Sequence, residues 1–316
     1  MNSLISAIIQ LAVLLLVAPL VSGVIKKIKA LSQKRIGPPV LQLYFDLLKL
    51  FRKDTVVSET ASWVFRAAPY VTLIAVLAAS LLIPVSTRLQ PFNFLGDVIL
   101  AIYLLALGRF FMTLAGLDPG STFGGMGSSR ESMVAALVEP TMLAGLFTIG
   151  LAAKSASVYE MMVFSSKLGW GIFQPVYLLT FSALFIILIA ETSRIPVDDP
   201  ATHLELTMVH EAMLLEYSGR YLALMELGAA LKQLLLITIL ANLFIPVEGW
   251  INLSNPALAL GLSLLIYLGK VIFIAVLVAV TEIHTVKLRL FTVPNLAAIA
   301  FILSFLGFFQ YLVLRG

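Results

Sequence analysis

The sequence has no cysteine, three histidines and only 17 aspartates and glutamates in 316 residues. Without cysteine the chain forms no disulfide, no thiolate metal site and no cysteine-ligated iron–sulfur cluster. Neither an HExxH nor a CxxC pattern is present, so little remains to hold a redox centre, and any electron chemistry must belong to a partner. Charged residues make up 12% of the chain, against about 25% in an average soluble protein. The net charge of +4 is small and dispersed, and gives no case for nucleic acid.

What is abundant is apolar length. Hydrophobic residues reach 60%, mean hydropathy is +1.02, and runs near or above about 18 residues recur along the chain. No alternating pattern of roughly ten-residue segments suggests a membrane barrel. The expected class is an all-α integral membrane protein, with about eight transmembrane helices, an interfacial amphipathic helix and a long cytoplasmic acidic loop. The spans are read at 3–24, 63–84, 95–116, 132–153, 172–192, 222–246, 257–282 and 294–314. No positive region precedes the first apolar stretch, whose first charge is Lys26, so it reads as a retained span rather than a signal peptide. Thirteen Lys and Arg fall in loops on one side and four on the other, which puts the long loops in the cytoplasm and both termini outside. Gly37-Pro38-Pro39 breaks the chain before LQLYFDLLKLFRK, residues 41–53, where Gln42, Asp46, Lys49 and Lys53 share one helical face. That pattern suits a helix lying in the membrane interface, either as a simple anchor or as the roof of a cavity used by a partner.

Several ionisable residues fall inside spans, at about 2.5–3.5 kcal/mol each for central positions. They are Arg109, Glu139, Glu226, Lys232 and Lys270, with Glu191 and Glu282 where spans meet the cytoplasm. One reading is internal ion pairing that fixes helix packing, for example Glu226 or Glu139 with Lys232 or Lys270. The other is a relay of carboxylates and lysines along which protons move, with Arg109 as a fixed counter-charge because it cannot exchange a proton at ordinary pH. Pro140 removes one helix donor beside Glu139, and the loosened turn could hold water.

The stretch ETSRIPVDDPATHLELTMVHEAMLLEYSGR, residues 191–220, holds six of the 17 acids and two of the three His. Asp199-Pro200 looks like a helix start, and the pattern predicts a helix running on to Glu216. His210-Glu211 lacks the second His of a zinc-protease helix. Met208, Val209, Met213, Leu214 and Leu215 are too apolar for a loop in water, so the segment reads as an interface.

These residues resemble a known signature. The order E-x-x-R-x-P-x-D, then E-L, then EYSG at Glu191, Arg194, Pro196, Asp198, Glu205-Leu206 and Glu216–Gly219 is similar to the complex I subunit 1 family. So are the R-x-GP motif at Arg35–Pro38 and G-x-SRE at Gly127–Glu131, read as part of a loop. The resemblance covers the whole chain. RFFMTLAGLDPGSTFGGMGSSRE, LVEPTML and EYSGRYLALMELGAALKQL resemble the energy-converting [NiFe]-hydrogenase branch, the formate hydrogenlyase and hydrogenase-4 group. Ala201 and His203 replace acids usual in the quinone-reducing enzymes, which argues against carrying over their quinone contacts. The resemblance implies a cofactor-free membrane anchor docking a hydrogenase-like large subunit and a small iron–sulfur subunit. A [NiFe] centre and iron–sulfur clusters would reside in those partners, antiporter-like subunits would lie alongside in lipid, and ferredoxin or formate would be the indirect electron donor. It implies ion translocation (H⁺ or Na⁺) through Glu139, Glu226, Lys232, Lys270, Glu282 and Arg109. Coupling and docking would fall to Glu191, Arg194, Asp198, Asp199, Glu205, Glu211, Glu216, Arg35, Arg130 and Glu131. The alternatives are the equivalent subunit of a quinone- or sulfur-reducing relative, a stand-alone cation or proton carrier, and a purely structural anchor.

Overall fold

The computed structural model describes residues 3–198, 208–247 and 256–315. Eleven α-helices occur among them: α1 (Ser3–Ser32), α2 (Gln42–Arg52), α3 (Trp63–Leu82), α4 (Asp97–Leu117), α5 (Thr122–Ala153), α6 (Val158–Leu168), α7 (Pro175–Glu191), α8 (His210–Leu214), α9 (Gly219–Phe244), α10 (Pro256–His284) and α11 (Val293–Arg315). No β-strand is present among the described residues. Seven helices are long and apolar enough to cross a bilayer, namely α1, α3, α4, α5, α9, α10 and α11. The eighth crossing is broken: α6 and a 3₁₀ turn (Gly169–Phe173) meet α7 at a bend of 108°. At 17 residues α7 is about 25 Å long, and Pro175 at its start fits a position where no backbone donor is needed.

The helices pack around α9, which is enclosed along most of its length. Lipid tails are as apolar as leucine, so contact among these helices relies on close approach and polar pairing rather than on the hydrophobic effect. The crossing of α4 and α5 shows the first device: a Cβ on Gly124 would lie 2.2 Å from the Gly116 oxygen, so only glycine lets these backbones meet. Asp118 shows the second. It follows α4 and accepts from the Ser62 N–H (2.7 Å) and hydroxyl (2.6 Å), tying the end of α4 to the N-cap of α3. Helix α2 presents three faces. Leu47 is buried against the bundle, Phe45, Leu48 and Phe51 stand exposed, and Gln42 donates to Asp46 at 2.9 Å on a polar edge.

Some boundaries differ from the sequence expectation, for one physical reason: hydropathy reports membrane, and helices do not stop at its edge. Helix α1 runs past residue 24 to Ser32, so Lys26, Lys27 and Lys29 ride on a helix rather than in a loop. Helix α5 starts at Thr122, with the Ser121 hydroxyl accepting from the Gly124 N–H at 3.1 Å, so G-x-SRE lies in its first turns and not in a loop. It also continues unbroken through Pro140. The expected helix from Asp199 to Glu216 is not formed in its described part. Residues 199–207, including Asp199, Ala201, His203 and Glu205, lie outside the described residues. Met208 and Val209 are not helical, and only His210–Leu214 forms a turn of helix.

Candidate functional site

Four ionisable side chains from four helices join in one line. Arg109 on α4 donates to Glu139 on α5 at 2.5 Å and to Glu191 at the end of α7 at 2.6 Å. The second oxygen of Glu191 meets Lys232 on α9 at 2.7 Å. The pairings Glu139 or Glu226 with Lys232 or Lys270 are therefore not those formed. Arg109 takes the central place because its planar fork serves two carboxylates at once. The line runs outward: the Glu191 side chain is 3% exposed and that of Glu139 is 31% exposed, at the α4–α5 surface.

Beside this line lies a cavity of about 120 Å³, walled by α1, α3, α4, α8 and α9 and roofed in part by Leu43 of α2. Arg109, Glu191, Arg194, Asp198, Glu226 and Lys232 reach it, with His210 and Glu211 on the α8 side. Glu226 makes no ion pair among the described residues. A second network borders the same space. Arg194 donates to Glu282 of α10 at 3.2 Å and to the Gln233 carbonyl at 2.9 Å, and Lys29 of α1 lies 3.5 Å from Glu282. The Ser22 hydroxyl donates to the same Gln233 oxygen at 3.0 Å. Asp198, 1% exposed, meets Lys287 at 3.1 Å and accepts from the Val209 N–H at 2.9 Å, which fixes the chain where α8 begins.

A third polar cluster sits towards the other end of α9. Lys270 donates to the Asn242 carbonyl oxygen at 2.7 Å, and the Asn242 amide donates to Pro84 at 2.8 Å. Thr238 and Tyr267 share a hydrogen bond of 2.8 Å nearby. Leu234, Leu235 and Ile237 are all 0% exposed and form an apolar layer on α9 between this cluster and the cavity. The predicted ion-path residues therefore divide: Arg109, Glu139, Glu226 and Lys232 come together at the cavity, Glu282 joins through Arg194, and Lys270 stands apart.

The EYSG motif has a packing role. The Tyr217 ring stacks on Phe65 at 4.0 Å, and its hydroxyl donates to the Phe65 carbonyl at 2.9 Å. Burial pushes that hydroxyl above its ordinary value near 10, with Asp118 adding to the effect. The Ser218 hydroxyl accepts from the Val56 N–H and donates to the Val56 carbonyl. Gly219 has φ +52°, and a Cβ there would lie 2.3 Å from the Asp54 oxygen. Together these three residues hold segment 54–65 against the start of α9. Arg130 donates to the Met208 carbonyl at 2.8 Å and Glu131 is buried beside it, while Arg35 and Glu216 are exposed on the side of α2 and α8.

Comparison with known proteins fits this frame. A family model described as NADH dehydrogenase matches residues 5–312. The chain belongs to that family. Its members include complex I subunit 1, as the signature at Glu191–Gly219 implies. Formate hydrogenlyase subunit 4 of Escherichia coli (strain K12) is 35% identical over 312 residues, covering 98% of this chain and 99% of that protein. Hydrogenase-4 component C of the same organism is 34% identical, covering 97% and 95%. A chain in the structure of the membrane-bound sulfane sulfur reductase, an archaeal respiratory membrane complex, superposes with a TM-score of 0.85 at 21% identity, covering 98% of this chain and 99% of that one; it shares the fold.

Within this family frame, sequence reasoning missed the uncharged members of the site: Ser22, Gln233, Thr238, Asn242 and Tyr267. The signal for Gln233 and Asn242 was present, since each amide interrupts an otherwise apolar helix and must find partners there. Gln10 on α1 is another, fully buried and donating to the Ile83 carbonyl at 3.0 Å.

Proposed function

We propose that this chain is the membrane anchor and ion-translocating coupling subunit (H⁺ or Na⁺) of a respiratory complex related to membrane-bound [NiFe] hydrogenase and formate hydrogenlyase. The observation that carries the reading is the line Glu139–Arg109–Glu191–Lys232, which joins a partly exposed carboxylate at the α4–α5 surface to a charged cavity beside the acidic segment. Charges placed within a membrane are costly, and their usual use is an ion path. A hydrogenase-like large subunit and a small iron–sulfur subunit dock on the side of α2 and α8, which is cytoplasmic, and hold the [NiFe] centre and clusters. Antiporter-like subunits lie beside the chain in the membrane. Electrons arrive from ferredoxin or formate and stay in the partners.

Coupling then acts through electrostatics. A charge change in the docked subunit alters the field at Asp198, Glu211 and Glu226, and the Glu191–Lys232 pair responds because Glu191 is buried and is shared with Arg109. Arg109 keeps its proton and holds the two carboxylates in place, so exchange falls to the carboxylates and lysines. Asp199 and Glu205 belong to the same coupling segment, and Lys270 serves the opposite half of the membrane. The test is Glu139→Gln or Lys270→Met in the whole complex, with electron transfer and gradient formation measured separately. Loss of the gradient with electron transfer retained is the expected outcome. If both functions stay at wild-type levels, the chain is an anchor only.

A further inference from the structure

Helix α2 and the residues at its ends carry three stripes, each one residue and so about 100° on from the last. Leu43, Leu47 and Leu50 turn towards the bundle, where Leu47 is buried. Gln42, Asp46, Lys49 and Lys53 make a polar stripe. Leu41, Phe45, Leu48 and Arg52 make the third, and all four are exposed. Backbone contacts at two glycines pin the helix at both ends. A Cβ on Gly23 would lie 1.9 Å from the Val40 oxygen, so the chain enters α2 lying against α1. The Gly219–Asp54 contact holds its exit against the start of α9. The first charge of α1, Lys26, comes three residues after Gly23, so α2 starts within about 5 Å of the level where α1 leaves the hydrocarbon. The Tyr44 hydroxyl donates to the Leu16 carbonyl, about 10 Å deeper on α1 than Gly23. Tyr70, on edge against Tyr221 near the start of α9, and the exposed Trp63 put aromatic rings on the same side, as is usual at headgroup level.

Charge decides what covers the outer stripes. Lys49, Arg52 and Lys53 are exposed and make no ion pair among the described residues, and the one acid of α2, Asp46, is engaged by Gln42. A helix C-terminus favours a cation in its last turn, which accounts for one of the three and not for the apolar stripe beside them. A docked protein fits this surface poorly, because lysine is depleted at protein interfaces and a cation covered there needs an acid opposite it. A lipid leaflet fits both stripes at once: the stems of long cationic side chains lie on apolar surface while their heads reach the phosphates. Going beyond the function proposed above, we propose that the outer face of α2 is a binding site for an anionic phospholipid. Its acyl chains lie against Leu41, Phe45 and Leu48. Its phosphate sits between Lys49 and Arg52, which are three residues apart and flank the border of the two stripes. The guanidinium fork of Arg52 matches two phosphate oxygens, and Lys53 adds to the local positive field. Net negative charge is what the site selects, so a zwitterionic lipid, whose phosphate is offset by its own cation, is the weaker ligand.

The test places a photo-reactive group in the stripe, with Phe45→p-benzoylphenylalanine in the intact purified complex. The complex is held in nanodiscs of phosphatidylglycerol and phosphatidylcholine in equal amounts, and the mass of this subunit after illumination shows which lipid has been captured. Each cation beside an anionic lipid is worth about fivefold in binding, so contact with Lys49 and Arg52 predicts an excess of phosphatidylglycerol adducts of at least about tenfold. Lys49→Gln with Arg52→Gln is expected to bring the two adducts close to parity, whereas Arg52→Lys keeps the charge and most of the excess. Raising salt to about 1 M, where the screening length is about 3 Å, should act like the double variant. All these side chains are exposed, so the variants are expected to assemble, and co-purification of the partner subunits checks it. Equal capture of the two lipids, an excess that survives the double variant, or cross-linking to a neighbouring subunit in place of lipid would overturn the site. A silent Glu139→Gln would remove the translocation reading and leave these expectations unchanged.

Discussion

Replacing Glu191 with Gln removes a carboxylate that serves two cations, and its two partners feel the change unequally. Arg109 keeps Glu139, but Lys232, whose side chain is 16% exposed, loses its only ion-pair partner among the described residues. Breaking a buried ion pair from one side costs about 3–5 kcal/mol, because an uncompensated charge is left behind. For a chain of this size that is a fall in melting temperature on the order of 5–10 °C. Adding Lys232→Met removes the stranded charge, and replacing both members of a buried pair by neutral groups is close to neutral. The double variant is therefore expected to recover most of the loss, a coupling of at least about 2 kcal/mol. Glu139→Gln offers a contrast: its side chain is 31% exposed and Arg109 retains Glu191, so the cost is about 0–1 kcal/mol. The assay is thermal unfolding of the detergent-solubilised protein, followed by the loss of monodisperse material on gel filtration. A Glu191→Gln melting point equal to wild type, or a double variant no better than the single, would refute the idea that Glu191 is buried and compensated by its two cations.

Two further outcomes follow from the EYSG clamp. Gly219→Ala forces a Cβ into a left-handed position, 2.3 Å from the Asp54 oxygen, and should cost about 1–3 kcal/mol, seen as a lower melting point and lower yield of intact subunit. Tyr217→Phe keeps the stack on Phe65 but drops the hydroxyl bond, at a cost of about 0.5–1.5 kcal/mol at neutral pH. Because burial raises the Tyr217 pKa in the folded state, its contribution is full below the unfolded value near 10 and is lost as pH rises above it. Wild type should therefore lose stability above pH 10 more steeply than the variant, and parallel curves would show that the hydroxyl is not buried in solution.

The long apolar helices could be read from composition alone, since only a membrane tolerates so many uncharged residues in succession. Their ends could not, because Lys26 to Ser32 and Thr122 to Ser132 are polar enough to leave the bilayer yet remain helical. The acidic segment was visible as an oddity, but its partners were not. Arg109 and Glu191 are 82 residues apart and Arg194 and Glu282 are 88 apart, separations at which no periodicity carries information. The carboxylates and lysines drew attention by their charge, and Gln233 did not, although it touches more of the site than Glu226 does. The EYSG motif was legible as a signature and silent about its task, which is to hold another segment of the same chain.

Two contacts tie the end of α7 to α9: Glu191 to Lys232, and Arg194 to Gln233. On α9 their anchors are neighbours in sequence, and at the end of α7 they are three residues apart. The arrangement is that of a linkage with two short struts between two rigid bars. A pull on one strut cannot be absorbed by rotation alone, since the other resists it. Asp198, bound to Lys287 and to the backbone at Val209, is the handle at the free end of one bar. Under the coupling proposed above, a partner that shifts this handle is expected to move both struts in the same stroke.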